Sequence, residues 1–176
     1  KAGALVGNFV GQWLQLRNLD VYQPDKKLFP MFTPDLRAAM RRETEQLFSH
    51  IALENHSVLE ILSADYSFLN ERLADFYGIS GVKGNSFRRV SLRGIPRGGI
   101  LTHASVLTIT SDPNRTSPVK RGKYVLENIL GTPPPEPPPN VPALEEQNED
   151  GKLLTMRVAM AQHRENPACR ACHAAM

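Results

Sequence analysis

Two cysteines and a histidine close to the end of the chain carry the clearest chemistry: Cys169-Arg170-Ala171-Cys172-His173. Thiols at i and i+3 sit on one turn of a helix, spaced to add to two vinyl groups on one edge of a porphyrin. A histidine directly after the second cysteine projects under the ring, where its imidazole becomes the proximal iron ligand. The predicted cofactor is therefore covalent haem c, with Cys169 and Cys172 as thioether anchors and His173 on the iron. These are the two cysteines of the sequence, so no other thiol competes for the role. Three other chemistries fit less of the pattern. A zinc site on Cys169, Cys172, His173 and His163 lacks the second spaced ligand pair that such motifs bring. A redox dithiol expects a strand–helix context, and a structural disulfide needs neither the i+3 spacing nor the histidine.

The distal side of the iron is less well specified. Met176 follows His173 by three residues and lies on the same side of the ring in a continuing helix. His163, His103, Met156 and Met160 are the candidates within the chain, and sequence beyond Met176 is the expected source. The first residue is Lys1 and no signal peptide is seen, which reads as a processed or excised piece and leaves export open. Covalent haem attachment and a low cysteine count suit a periplasmic or extracytoplasmic location. No apolar run approaches the roughly 18 residues of a membrane span.

Charge is distributed unevenly. The formal total of +3 comprises −2 over 1–78, +8 over 79–125, −6 over 126–151 and +3 over 152–176. A basic segment of this strength calls for an acidic partner: the acidic stretch that follows, haem propionates, or a redox partner protein. Arg93, Arg97, Arg115, Lys120 and Arg121 are candidates for pairing with haem propionates, the first three above all, or for a docking surface toward an acidic redox partner. Nucleic acid is disfavoured, since no binding motif accompanies the charge. An enzymatic reading would fall on His103, Asp112 and Arg115, but no nucleophile–base spacing, phosphate loop or metal triad supports it. A helical scaffold or interaction module of a larger exported complex, with other subunits as partners, is the alternative to electron transfer.

The elements that must position these residues are predicted to be mainly α. A helical module spans 1–78. Val6 to Leu19 has helical apolar spacing, and Thr33-Pro34-Asp35 is a helix start with Thr as cap and Pro in the first turn. From there Leu36, Met40, Leu47 and Ile51 form one stripe to about Asn55, with Arg41, Arg42, Glu43 and Glu45 on other faces. Ser57 caps a short helix, Val58 to Leu62. Asp65 caps a helix from Tyr66 to Tyr77, closed by Gly78. A basic, mixed, loop-rich module with short β elements covers 79–131. It holds an alternating strand at Phe87 to Leu92, a glycine-punctuated turn at Gly94 to Gly99, an apolar run Ile100 to Ile109 read as helix in its first half, and a helix Val119 to Leu130 opened by Ser117-Pro118. A proline-rich acidic linker, 132–151, opens on the polyproline strap Thr132 to Pro139. The start of a cytochrome c-like helix occupies 152–176, beginning with Lys152 to His163.

In order and wording the chain resembles a family of secreted cytochrome-like proteins of planctomycetes and related bacteria, whose modules are described as domains of unknown function. The carrying segments are Phe32-Thr33-Pro34-Asp35-Leu36-Arg37, Ala64-Asp65-Tyr66-Ser67-Phe68-Leu69-Asn70-Glu71-Arg72-Leu73 and Arg97-Gly98-Gly99-Ile100-Leu101-Thr102. To these are added Thr116-Ser117-Pro118-Val119-Lys120-Arg121-Gly122-Lys123, Leu130-Gly131-Thr132-Pro133-Pro134-Pro135, and His163-Arg164 through His173. The resemblance implies export, one or more c-type haem segments and electron movement, with no established reaction for the helical modules.

Overall fold

The computed structural model describes residues 2–136, 147, 150–165 and 170. Helices dominate, and a single two-stranded antiparallel sheet accompanies them among the described residues. The chain divides into two packed units, Lys1–Thr116 and Ser117–Met176.

In the first unit, α1 (Ala2–Leu5), a π-helical turn (Val6–Val10) and α2 (Gly11–Trp13) follow one another, and α3 (Asn18–Val21) is separate. The sequence pattern predicts one helix here. The chain breaks instead at Gln15, whose φ is +53°. That reversal lets Leu14 and Leu16, on either side of it, both bury almost completely, a gain of roughly 1.5–3 kcal/mol for each side chain. The long helix α4 (Pro34–Leu53) starts as the sequence predicts: Thr33 Oγ1 accepts from the Leu36 amide at 3.2 Å. Its buried stripe holds Leu36, Met40, Leu47 and Ile51, together with Glu43 and Thr44. Glu43 is a correction, since the sequence reading put it on another face; three residues after Met40 and four before Leu47, it lies on the stripe.

After α5 (Glu60–Ser63) comes the largest difference. Tyr66 to Tyr77 is not one helix: Tyr66–Leu69 is strand β1, and α6 covers Glu71–Tyr77. Asn70, not Asp65, is the cap, its Oδ1 accepting from the Leu73 amide at 3.1 Å. Asp65 instead ties the sheet, its carbonyl accepting from the Leu92 amide at 2.7 Å. Strand β2 (Arg88–Ser91) pairs antiparallel to β1, with Tyr66 opposite Ser91 and Leu69 opposite Arg88. Tyr66, Ser67 and Leu69 are all buried, so both faces of β1 are covered, and the period-2 alternation that marks a half-exposed strand is absent. Gly78 closes α6 in the left-handed conformation, as the sequence predicts.

A 3₁₀ turn (Ile100–Thr102) and α7 (Ala104–Ile109) follow, so the regular helix lies in the second half of that apolar run, with His103 extended between them. Gly99 is required where it stands: with φ +59° and ψ 178°, a Cβ there would lie 2.3 Å from the Leu62 carbonyl oxygen. One core holds Leu36, Met40, Leu69 and Leu73 from the first 78 residues and Ile79, Val82, Leu92 and Ala104 from the segment after them. The boundary predicted at Gly78 thus falls within a shared core.

In the second unit, α8 (Pro118–Tyr124), capped by Ser117, runs into a π-helical turn (Val125–Ile129) before Gly131. Thr132 to Glu136 form neither helix nor strand, and Pro137, Pro138 and Pro139 lie outside the described residues. Helix α9 spans Met156–Glu165, starting four residues later than the sequence predicts. No helix among the described residues is long and apolar enough to cross a membrane.

Candidate functional site

The residues predicted to hold haem, Cys169, Cys172 and His173, lie outside the described residues, as does Met176. Met156, Met160 and His163 all fall on α9. Lys120 and Arg121 fall on α8 in the second unit, and the remaining candidates are in the first unit, each with a protein partner. Arg93, exposed, has its Nε 2.6 Å from Asp65 Oδ2. The Arg97 guanidinium lies 3.7 Å from the centre of the Tyr77 ring, and its Nη1 donates to the Thr102 carbonyl at 2.7 Å. Arg115 and Asp112 form an ion pair at 3.6 Å inside a tight loop, bridged at its ends by Ser111 and Thr116. The enzymatic trio is not assembled: Asp112 and Arg115 occupy that loop, while His103 is in the core.

His103 is the centre of a polar network that the sequence reading did not anticipate. Its ring is buried, and burial lowers its pKa, an effect partly offset by Glu43. The imidazole is therefore neutral near pH 7, and its tautomer follows from its neighbours. Ser67 spends its proton on Glu43, so it accepts from the ring; Nδ1, 3.0 Å from Thr44 Oγ1, then takes the Thr44 proton, and Thr44 Oγ1 lies 2.7 Å from Ser105 Oγ. That leaves the proton on Nε2, directed at Ser67 Oγ (3.5 Å) and at Glu43 Oε1 (3.8 Å). Ser67 in turn donates to Glu43 Oε1 at 2.6 Å, and the Tyr77 hydroxyl donates to Glu43 Oε2, also at 2.6 Å. The Tyr77 oxygen accepts from the Ala104 amide at 2.8 Å. Both carboxylate oxygens of Glu43 thus accept from hydroxyl donors. This resolves the cost of a glutamate at a core position of α4. It also corrects the reading of His103 as a distal iron ligand, since both of its nitrogens are engaged inside the core.

Although Glu43, Ser67 and His103 are the residue types of a hydrolytic triad, burial keeps substrate from them. Ser67, Thr44 and Ser105 have no exposed surface. The signal that could have revealed the network is the acidic residue at helical core spacing in α4.

A second cluster, at the surface, is composed of His50, Glu54 and His56, where one ligand atom from each lies within 4.8 Å of the others. A shallow pocket of about 390 Å³ is lined by Asp65, Tyr66, Arg89, Ser91 and Arg93. Its two arginines are already engaged, Arg93 by Asp65 and Arg89 by the Tyr66 ring at 3.9 Å.

Comparison with known families finds similarity to two family models, neither with an assigned chemistry. Residues 1–79 match the PSD4 family model, described as a protein of unknown function (DUF1592). Residues 97–176 match the PSCyt3 family model, also described as a protein of unknown function (DUF1588). The chain thus matches two family models in succession, each described only as of unknown function. No curated protein and no solved structure matches it.

Proposed function

We propose that this chain is part of an exported electron-transfer protein and carries one covalently attached haem c. Cys169 and Cys172 would hold the group by thioether bonds, and the His173 imidazole would bind its iron. The observation that carries the reading is the Cys-x-x-Cys-His spacing, within the segment that matches the second family model. The donor set suits the group: two thiols for the ring edge and one imidazole for the metal. Bound haem supplies a reversible one-electron couple at iron; the protein's part is to fix its edge and one axial position. A periplasmic or extracytoplasmic location follows from the same chemistry. So does a redox partner protein or a neighbouring subunit, met by the basic segment 79–125. The strap from Thr132 to Pro139 is read as an extended spacer. Pairing of Arg93, Arg97 or Arg115 with haem propionates would require each to give up a present partner, so none of them is needed for attachment.

The test is protein made with haem-attachment machinery. The native chain should show a haem absorption band and an intact mass increased by one haem. Replacing both cysteines, Cys169→Ala with Cys172→Ala, should abolish both. A band that survives the double replacement overturns the assignment.

A second reading, a helical scaffold or interaction module for the first unit, is favoured by the sealed network around Glu43. All of its hydrogen bonds are spent on the fold, and none faces solvent. It requires that substitutions at Glu43 alter stability while leaving the haem potential in place.

A further inference from the structure

We propose a divalent transition-metal site, of zinc type, on the surface of the first unit, formed by His50, Glu54 and His56. Local sequence builds it. His50, in the last turn of α4, and Glu54, its C-cap, are i and i+4, one above the other. Helix α4 ends at Leu53 with Glu54 as its C-cap, and Asn55 takes the left-handed conformation at φ +58°. The His56 amide then donates back to the Ile51 carbonyl at 3.0 Å, the six-to-one bond of a Schellman end. This reversal returns His56 to the face that His50 occupies, and the two rings lie 4.4 Å apart, centre to centre.

The Glu54 carboxylate lies between them. Its Oε1 is 2.9 Å from His50 Nδ1 and its Oε2 is 3.9 Å from His56 Nε2. Tetrahedral zinc with bonds near 2.0–2.1 Å needs donor atoms about 3.3 Å apart; the two distances straddle that value. Glu54 is well exposed and free to adjust.

The atoms behind the donors complete the argument. A metal-binding histidine characteristically gives its other ring N–H to a carboxylate. His56 Nδ1 lies 3.3 Å from Glu60 Oε1, which fixes the proton on Nδ1 and leaves the Nε2 lone pair toward Glu54. Glu60 is itself oriented by the Tyr66 hydroxyl, which donates to Oε2 at 2.5 Å. His50 is held by packing, between His56 and the edges of Tyr66 and Phe68. Its Nε2 is buried with no hydrogen-bond partner among the described residues. Two imidazoles and one carboxylate leave a coordination position open to solvent, as in sites that keep a water.

The probe is zinc chloride, titrated into the full chain after removal of adventitious metal. The thiols of Cys169 and Cys172 also bind zinc when they carry no haem, so the titration is repeated in the Cys169→Ser, Cys172→Ser background. One equivalent should persist there. It should be lost, or weakened at least tenfold, in Glu54→Gln and in His56→Ala, both at exposed positions where folding is preserved. Glu60→Gln should weaken it by roughly 10–100-fold. Cobalt substitution separates the sources: this site should show d–d bands without a thiolate charge-transfer band. Absence of binding in the serine background, or binding unchanged in the His56→Ala, Glu54→Gln double variant, overturns the proposal.

Discussion

Replacing Tyr77 with Phe removes one oxygen from the middle of the first unit and leaves the ring, with its stacked Arg97, in place. That oxygen does two jobs: it donates to Glu43 Oε2 at 2.6 Å and accepts from the Ala104 amide at 2.8 Å. Without it, a buried N–H and a carboxylate oxygen lose their partners together. Each unsatisfied group costs about 1–3 kcal/mol, more when charged, so the sum is about 3–5 kcal/mol. That is a large share of a typical domain stability of roughly 5–15 kcal/mol. Urea unfolding followed by Trp13 fluorescence measures it, because Trp13 is the single tryptophan and packs against Phe9 and Phe48 in this unit. The companion variants are Glu43→Gln and the double substitution, which together give the coupling of the pair; it should be at least about 1 kcal/mol. A Tyr77→Phe loss below about 1 kcal/mol, additive with Glu43→Gln, would show that water or rearrangement satisfies these groups and that the network is not a structural keystone.

Two further perturbations read other parts of the same unit. Burial lowers the pKa of His103 below its ordinary 6.5, so below that pH the unfolded chain binds a proton that the folded one does not. Stability is then full above 6.5 and falls as pH drops, by up to about 1.4 kcal/mol per pH unit from this residue. His103→Gln should lower stability near neutrality yet flatten the decline between about pH 7 and about pH 5, above the carboxylate range. An unchanged slope would place the pH sensitivity elsewhere. Gly99→Ala should cost about 3 kcal/mol or more, combining a Gly-only backbone conformation with a clash. The contrast is Gly7→Ala, where nothing lies within 4 Å of the added carbon; equal thermal midpoints for the two variants would contradict the geometry.

Where local chemistry decides, the sequence was legible. Thr33 with Pro34 starts α4, Gly78 ends α6 and the alternating run Phe87 to Leu92 holds the strand Arg88–Ser91, each as read from residue type and spacing. Where tertiary contacts decide, it was not. Tyr66–Leu69 looks like the first turn of a helix because Asp65 resembles a cap; pairing with the distant strand Arg88–Ser91 overrides that preference. Gln15 breaks a well-spaced apolar pattern for the sake of two leucines. The histidine cluster was readable in part, through His50 and Glu54 at i and i+4 and an asparagine able to turn the chain. What the spacing could not show is that His56 comes back beside His50 and that Tyr66 stands behind Glu60.

The two family matches separate between residues 79 and 97, whereas packing separates the chain after Thr116. Residues 97–116 therefore belong to the second match by sequence and to the first unit by packing. They bring His103 and Ser105 to Thr44, and the Ala104 amide to Tyr77. The unmatched stretch between the matches brings Leu92 and the strand that covers β1. A glutamate on the buried stripe of α4 is tolerable only with donors around it. Ser67 and Tyr77 come from the first matched segment, and the imidazole that orders them comes from the second. The first segment thus carries a requirement that residues 97–116 meet, so the sequence boundary between the two matches is not a packing boundary within the first unit.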